Sequence, residues 1–255
     1  MQRTHRTGSQ VRRIGLARAL SKRGLCSRTV AAGLILDGQV SVDGHVVRDP
    51  EYPTVDTSRI QVLGDEVKPT ARHYLMLNKP RGLVTTAHDE RARRTVYECF
   101  RDSALPWVGP VGRLDKASEG LLLFSNDTEW AAALLDPARH LPRTYHVQVE
   151  GIPDADTLAA LKSGVTTREG EHLAVLDAHV LRQGTRNAWL CCVLDEGRNR
   201  HLRRLCELLG FPVLRLVRVA IGEVMLGELA KGQWRPLTDA ELTALGVPIQ
   251  SRPRA

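Results

Sequence analysis

Apolar positions recur along this chain in two rhythms. From Ile14 to Leu36 they fall at helical spacing: Ile14, Leu16, Ala17, Leu20 and Leu25, then Val30, Ala31, Leu34 and Ile35. Residues three and four apart share a helix face, so the pattern predicts two short helices. Gly24 closes the first, and Ser27 is placed as N-cap of the second, Arg28 to Leu36. The rhythm then drops to two. Gln39-Val40-Ser41-Val42 alternates as a strand, Asp43-Gly44 is a hairpin turn, and Val46-Val47 starts the returning strand. Residues 59–72 alternate and end in Lys68-Pro69-Thr70, which reads as a linker.

Beyond it, strands and helices mix. Strands are expected at Tyr74–Leu77, across the apolar run Leu121-Leu122-Leu123-Phe124, at Arg143–Val149, at 172–182 and 188–194 joined by Gly184-Thr185, and at Leu216–Ile221. Helices are expected at Thr95–Phe100, Trp130–Leu135, Pro153–Leu161, after Asn199 with Leu202, Leu205, Leu208 and Leu209 inward, and within 232–245.

Composition narrows the class. The 255 residues, 42% of them hydrophobic, suffice for one large domain or a medium and a small one. No run approaches the eighteen or so apolar residues of a membrane span. Met1-Gln2-Arg3-Thr4-His5-Arg6 leads into no apolar segment of a secretory signal, so a cytoplasmic protein is expected. Cys26, Cys99, Cys191, Cys192 and Cys206 are odd in number and lack Cys-x-x-Cys spacing. They read as scattered reduced thiols, not as a zinc set.

Net charge is +7, and its placement matters more than its size. Arg3, Arg6, Arg12, Arg13, Arg18, Lys22, Arg23 and Arg28 precede the first acid, Asp37. A one-sided basic face fits a polyanion. A solvated basic tail is the plain alternative for residues 1–10, which show no apolar periodicity and are expected to be disordered.

The most informative stretch is Gly112-Arg113-Leu114-Asp115-Lys116-Ala117-Ser118-Glu119-Gly120 before its apolar run. It sets one carboxylate in a glycine-bounded turn at the mouth of a buried strand. Such a charge is partly desolvated and needs a cation to answer it. Spacing alone also fits an ordinary surface turn, where Asp is common.

The segment resembles the signature of the pseudouridine synthases, in the RsuA-like and RluB-like branch that modifies ribosomal RNA. Further stretches match in order: Asn78-Lys79-Pro80-Arg81-Gly82, the polar loop Asp89–Thr95, Arg143-Thr144-Tyr145, Gly197–Arg203, Leu216–Gly222, and Gly232-x-Trp234-Arg235-x-Leu237-Thr238. Gly24–Arg28 and Gly38–Gly44 resemble the S4 RNA-binding module. The resemblance covers about residues 11–246. His201 and Leu202 stand where the family commonly has Gln and Ile, Arg143 takes a slot usually held by Lys, and the second S4 helix carries fewer charges than usual.

The resemblance implies an α+β chain: a small S4-type helix-helix-hairpin domain, then a catalytic domain with a mixed, mostly antiparallel sheet, flanking helices and a central cleft. The expected boundaries are a tail over 1–10, S4 over 11–58, a linker over 59–72, the catalytic domain over 73–246 and a tail over 247–255. It implies an isomerase that converts a specific uridine in ribosomal RNA to pseudouridine, with no metal and no cofactor. Asp115 takes the catalytic role. Tyr145 stacks on the base, and Arg203 pairs with Asp115 through a forked hydrogen bond. Arg113, Leu216, Arg143 and Arg198 line the substrate site, and Arg18, Lys22, Arg23 and Arg28 meet the RNA. The expected partner is ribosomal RNA, in a subunit or an assembly intermediate, with the protein a monomer and no membrane involved. A non-enzymatic RNA-binding or ribosome-assembly protein with an idle catalytic domain is the alternative. An acid-base hydrolase ranks last, since no second carboxylate has a partnering role and Glu119 reads as structural.

Overall fold

The computed structural model describes residues 13–87, 89, 91–195 and 197–248. The tail over 1–10 and nearly all of that over 247–255 lie outside the described residues. The chain divides into two units. One runs to Ala71 and takes in Leu105–Val108; the other holds Arg72–Ala104 and everything from Gly109 onward.

The first unit contains β1 (Ile14–Gly15), α1 (Leu16–Lys22), α2 (Arg28–Leu36), β2 (Val40–Val42), β3 (His45–Val46), β4 (Pro53–Thr54), β5 (Ile60–Val62) and β6 (Asp65–Glu66). Gly24, at φ +76°, ends the first helix, and the Ser27 hydroxyl accepts from Val30 N at 3.2 Å as the expected cap. Leu16, Leu20, Ala31, Ile35, Val40 and Ile60 close one small core.

Two sequence readings change here. Ile14 belongs to a strand, paired with Thr54, so the first helix starts two residues later. The stretch expected as a linker from 59 onward forms the β5–β6 hairpin instead. It pairs with β2 to give the order β3-β2-β5-β6. Its alternation is that of a real strand, because Ile60 is fully buried in the core.

The second unit contains β7 (Tyr74–Lys79), a 3₁₀ turn at Val96–Phe100, β8 (Gly109–Val111), β9 (Glu119–Ser125), α3 (Thr128–Leu135), β10 (Arg143–Glu150), α4 (Ala155–Ser163), β11 (Val165–Thr166), β12 (His172–Leu173), β13 (Asp177–Gln183), β14 (Asn187–Leu194), α5 (His201–Leu208), β15 (Val213–Ile221), β16 (Val224–Met225), β17 (Trp234–Pro236) and α6 (Asp239–Ala244). The main sheet runs β13-β14-β10-β15-β9-β7-β17, with β16 beside β15 and β8 beside β9. Every pairing is antiparallel except β15 with β9, so the sheet is mixed and mostly antiparallel. One core joins Met76, Leu121 and Leu123 to Trp130 and Leu134 of α3 and Leu242 of α6. A second joins Val147, Leu190 and Leu216 to Leu161 of α4 and Leu202 and Leu205 of α5.

The parallel joint unites the two halves of the sheet and leads straight out of the Asp115 turn. Here Gly120 lies opposite Arg218, at φ +101°. A Cβ at Gly120 would strike the Arg218 carbonyl oxygen and stand 2.8 Å from its nitrogen. Backbone cannot yield as a flexible side chain can, so only glycine fits. Beside it, buried Glu119 accepts from Arg215 Nε and Nη2, both at 3.0 Å, and from Lys231 at 2.6 Å. Burial pushes this carboxyl up, but the two cations hold it below its ordinary value. Its role is that of a strut. Gly120→Ala should destabilise the protein by about 2–4 kcal/mol, through overpacking and backbone strain together. Chemical denaturation checks this, and a loss under ~0.5 kcal/mol would contradict the steric explanation.

Candidate active site

The turn from Gly112 to Ser118 is fixed through its own carbonyl groups. The Leu114 carbonyl accepts from the Thr85 hydroxyl at 2.7 Å, and that of Lys116 from Gly82 N at 2.8 Å. The Asp115 carbonyl accepts from Ser118 N at 2.9 Å and from Lys79 Nζ at 3.1 Å. Arg203 donates to the Ala117 carbonyl at 3.0 Å, and Lys79 Nζ donates again to the Ser118 carbonyl at 2.8 Å. Five successive carbonyls are thus answered, each of them by a donor from outside the turn. A loop with five carbonyls in a row held by donors has little freedom to rearrange.

Lys79 closes β7 and is 0% exposed. Its ammonium spends its donors on carbonyls: Asp115, Ser118 and, at 3.2 Å, Pro80. Burial lowers its pKa to about 8, against the attraction of Asp115.

Above the turn opens a cleft of about 920 Å³. The half-buried Asp115 lines it, as do Arg113, Arg143, Tyr145, Arg198 and Leu216. Tyr145 stands on β10 and Leu216 on β15, adjacent strands of the sheet. The cleft thus brings together the Asp115 carboxylate, the Tyr145 ring, an apolar floor and a cationic rim, with Asp195 also in its lining. Such a set suits a flat, flipped-out base on a charged backbone.

Comparison with known proteins identifies the family. Residues 73–208 match the RNA pseudouridylate synthase family and residues 14–53 the S4 domain. An RNA pseudouridine synthase of Aquifex aeolicus (strain VF5), itself uncharacterized, is 39% identical over 232 residues, 89% of this chain and 91% of that one. The chain belongs to the RNA pseudouridine synthases. The ribosomal large subunit pseudouridine synthase B of Bacillus subtilis (strain 168) is 34% identical over 233 residues, 90% of this chain and 94% of its own. A solved pseudouridylate synthase superposes with a TM-score of 0.62 at 27% identity, covering 91% of this chain and 99% of that one. The protein is therefore an isomerase. Among the described residues, no helix is long and apolar enough to cross a membrane.

Not every expected residue of the synthase lies where its sequence placed it. Arg203 does not fork onto Asp115. Its two terminal nitrogens donate to the carbonyls of Ala117 and, at 3.3 Å, Val213, tying α5 to the turn and to β15. Among the described residues, no hydrogen bond or ion pair joins it to the Asp115 carboxylate, although the carboxylate attracts its charge from a distance. Arg198 reaches the cleft rim, yet its guanidinium donates to the His172 carbonyl at 2.8 Å.

In the first unit, the half-buried Arg23 is engaged by main chain. It donates to the carbonyls of Val67 and Ser58, both at 2.7 Å, and of Asp56 at 3.3 Å, and so fastens α1 to the β5–β6 region. Arg18 and Lys22 are half-buried, and Arg28 is exposed with Glu51 at 3.9 Å.

Two residues of the site escaped the sequence reading. Lys79 read as part of a turn, and Arg218 as part of an apolar strand. For Arg218 the signal is a charge inside an otherwise apolar run, since a charge is buried only where something answers it; Lys79, between Asn78 and Pro80, carries no such mark.

The Lys79 geometry has a pH signature. Unfolded, this lysine keeps its proton to about 10.5; folded, to about 8. Between those values the unfolded chain binds more protons, so this group favours the folded state as pH rises. A neutral amine, however, has only two N–H groups for three carbonyls and no charge to hold them. Isomerase activity should therefore fall as pH rises through about 8, while the melting temperature does not fall with it. Single-turnover rates and thermal melts over the same pH series check this. Activity that rises through that window would contradict it.

Proposed function

We propose that the protein converts a uridine of ribosomal RNA to pseudouridine, with Asp115 as the catalytic carboxylate. The observation that carries this reading is a half-buried acid on an immobilised turn, opening into a cleft with Tyr145 and Leu216. The Bacillus subtilis relative's name directs the first test to large-subunit RNA.

The reaction breaks the bond between ribose C1′ and uracil N1, turns the base and joins C1′ to C5. Nothing is oxidised and no atom is gained. Asp115 can attack C1′, or take the C2′ proton to leave a glycal; either route needs an ionised carboxylate held still against the sugar. Tyr145 gives the uracil a flat face, and Leu216 closes the pocket beneath it. Those walls keep the detached base from escaping. Arg203 acts on Asp115 through the backbone of the turn and through long-range attraction. The uridine must leave its stack to enter, which a loop in folded RNA makes cheap. Arg18, Lys22 and Arg28 of the S4 unit supply phosphate contacts, which give affinity and placement but little sequence choice. Arg23 holds that unit together instead.

Asp115→Asn should abolish product, lowering the rate by about 10³-fold or more, while RNA affinity stays within about twofold. Mapping pseudouridine in ribosomal RNA transcripts by chemical labelling and primer arrest checks it; a variant as active as wild type would end the assignment. Arg18→Ala and Lys22→Ala should each lower the slope of log affinity against log salt by about one. Binding titrations at several salt concentrations read this, and unchanged slopes would remove the S4 unit from the RNA interface.

A further inference from the structure

Two arginines on adjacent strands, Arg143 and Arg218, line the cleft, and among the described residues no carboxylate bonds to either guanidinium. Arg218 faces Tyr145 across the β10–β15 pairing and lines the cleft, yet is only 5% exposed. Its Nε donates to the Leu121 carbonyl at 2.7 Å, while its Nη2 is buried with no hydrogen-bond partner among the described residues. Arg143, half-buried two residues before Tyr145, donates to the Asp195 carbonyl at 3.0 Å. Burial lowers the Arg143 pKa, and Arg218 acts in the same direction, so the two charges feel each other. The Asp195 carboxylate attracts Arg143 but is turned to His140, with Nδ1 at 2.9 Å. Among the described residues, neither guanidinium has an ion-pair partner.

Burying like charges side by side is unfavourable unless something negative joins them. Among the described residues, no side chain supplies that anion through a hydrogen bond or ion pair. Here the proposed reaction supplies a fitting anion. When the C1′–N1 bond breaks, both its electrons leave with the base, and uracil carries a negative charge shared among N1, O2 and O4. C1′ is meanwhile held as an ester of Asp115 or, with the C2′ proton on Asp115, as a glycal. In the closing step C5 bonds to C1′, the Asp115 oxygen or the borrowed proton is returned, C5 loses its proton and N1 gains one. Charge and atoms balance without another reactant.

We propose that Arg218, with Arg143 beside it, holds a carbonyl oxygen of the target uracil and stabilises the base as an anion while it is detached and turned. This inference rests on the isomerase reading and adds a specific role to it. A buried cation poised where charge develops favours the bond-breaking state over the bound substrate. It also retains the loose base, because an anion beside a buried guanidinium does not readily leave.

The test uses full-length protein and ribosomal RNA transcripts, with single-turnover rates measured at saturating protein, RNA affinity by titration and folding by thermal melt. Arg218→Gln should lower the rate by about 10²-fold or more, with affinity within about threefold of wild type. Arg218→Lys, which keeps the charge, should recover about tenfold of that loss, a rescue that a purely structural role would not give. Arg143→Gln should slow the reaction by about tenfold with the same affinity. If Arg218→Gln does not fold, Arg143→Gln and Arg218→Lys decide, and full activity in both overturns the proposal. Full activity in Arg218→Gln overturns it directly, as does a rate loss that follows lost affinity alone. Wild-type protein that forms no pseudouridine overturns the isomerase reading and this inference with it. Active wild type with undisturbed arginine variants overturns only the inference.

Discussion

One buried ammonium holds the site in place. Lys79 lies at the end of a central strand, fully enclosed, and points its charge at main-chain oxygens of the turn that carries Asp115. Carbonyl dipoles can solvate an ammonium, but only if they converge. The turn must therefore adopt the one shape that brings the oxygens of Asp115 and Ser118 to the same nitrogen. Thr85, Gly82 and Arg203 then take up the carbonyls of Leu114, Lys116 and Ala117. Side chains are left to face the cleft while the backbone faces its donors. On the proposed function, an acid so mounted needs no rearrangement when a substrate arrives, which is the condition for efficient positioning.

The sheet brings the other groups to it. The parallel joint between β9 and β15 puts the exit of the turn against the strand that carries Leu216 and Arg218. The antiparallel pairing of β15 with β10 adds Tyr145 and Arg143 on the next strand. The joint closes only because Gly120 lets two backbones approach, and Glu119 braces it with two cations. A core packs against each half of the sheet. The cleft groups thus rest on strands and on a well-anchored turn, with two packed cores behind them.

Much of this was legible in the sequence, for reasons that differ by residue. Apolar rhythm located the strands and helices because each buries one face. The turn chemistry of Gly24, Ser27 and Asp43-Gly44 located the S4 elements because those positions demand caps and positive φ. Asp115, Tyr145 and Leu216 were recognisable from motif order, and the structure gathers them in one cleft. What failed was the assignment of partners to cations. Arginine has five donors and a long stem, so its sequence position does not say whether it meets a carboxylate, a phosphate or a carbonyl. Arg203 turned to carbonyls of the turn and of β15, and Arg23 to carbonyls of its own unit. The β5–β6 hairpin was missed because two short strands with charged tips look like a connector until a neighbouring strand accepts them. Lys79 was hidden by the turn residues that follow it, and Arg218 by its place in a strand.

The most direct measurement of the lysine's role is the single-turnover rate of Lys79→Met, set beside its RNA affinity and its melting temperature. Methionine keeps the volume and removes the charge and its donors. If the ammonium fixes the Asp115 turn, the variant binds ribosomal RNA as the unaltered protein does, remains folded and forms pseudouridine at least about 10²-fold more slowly. A folded Lys79→Met protein that modifies RNA at the full rate would show that the turn keeps its shape without the lysine, and that the buried ammonium is not what positions Asp115.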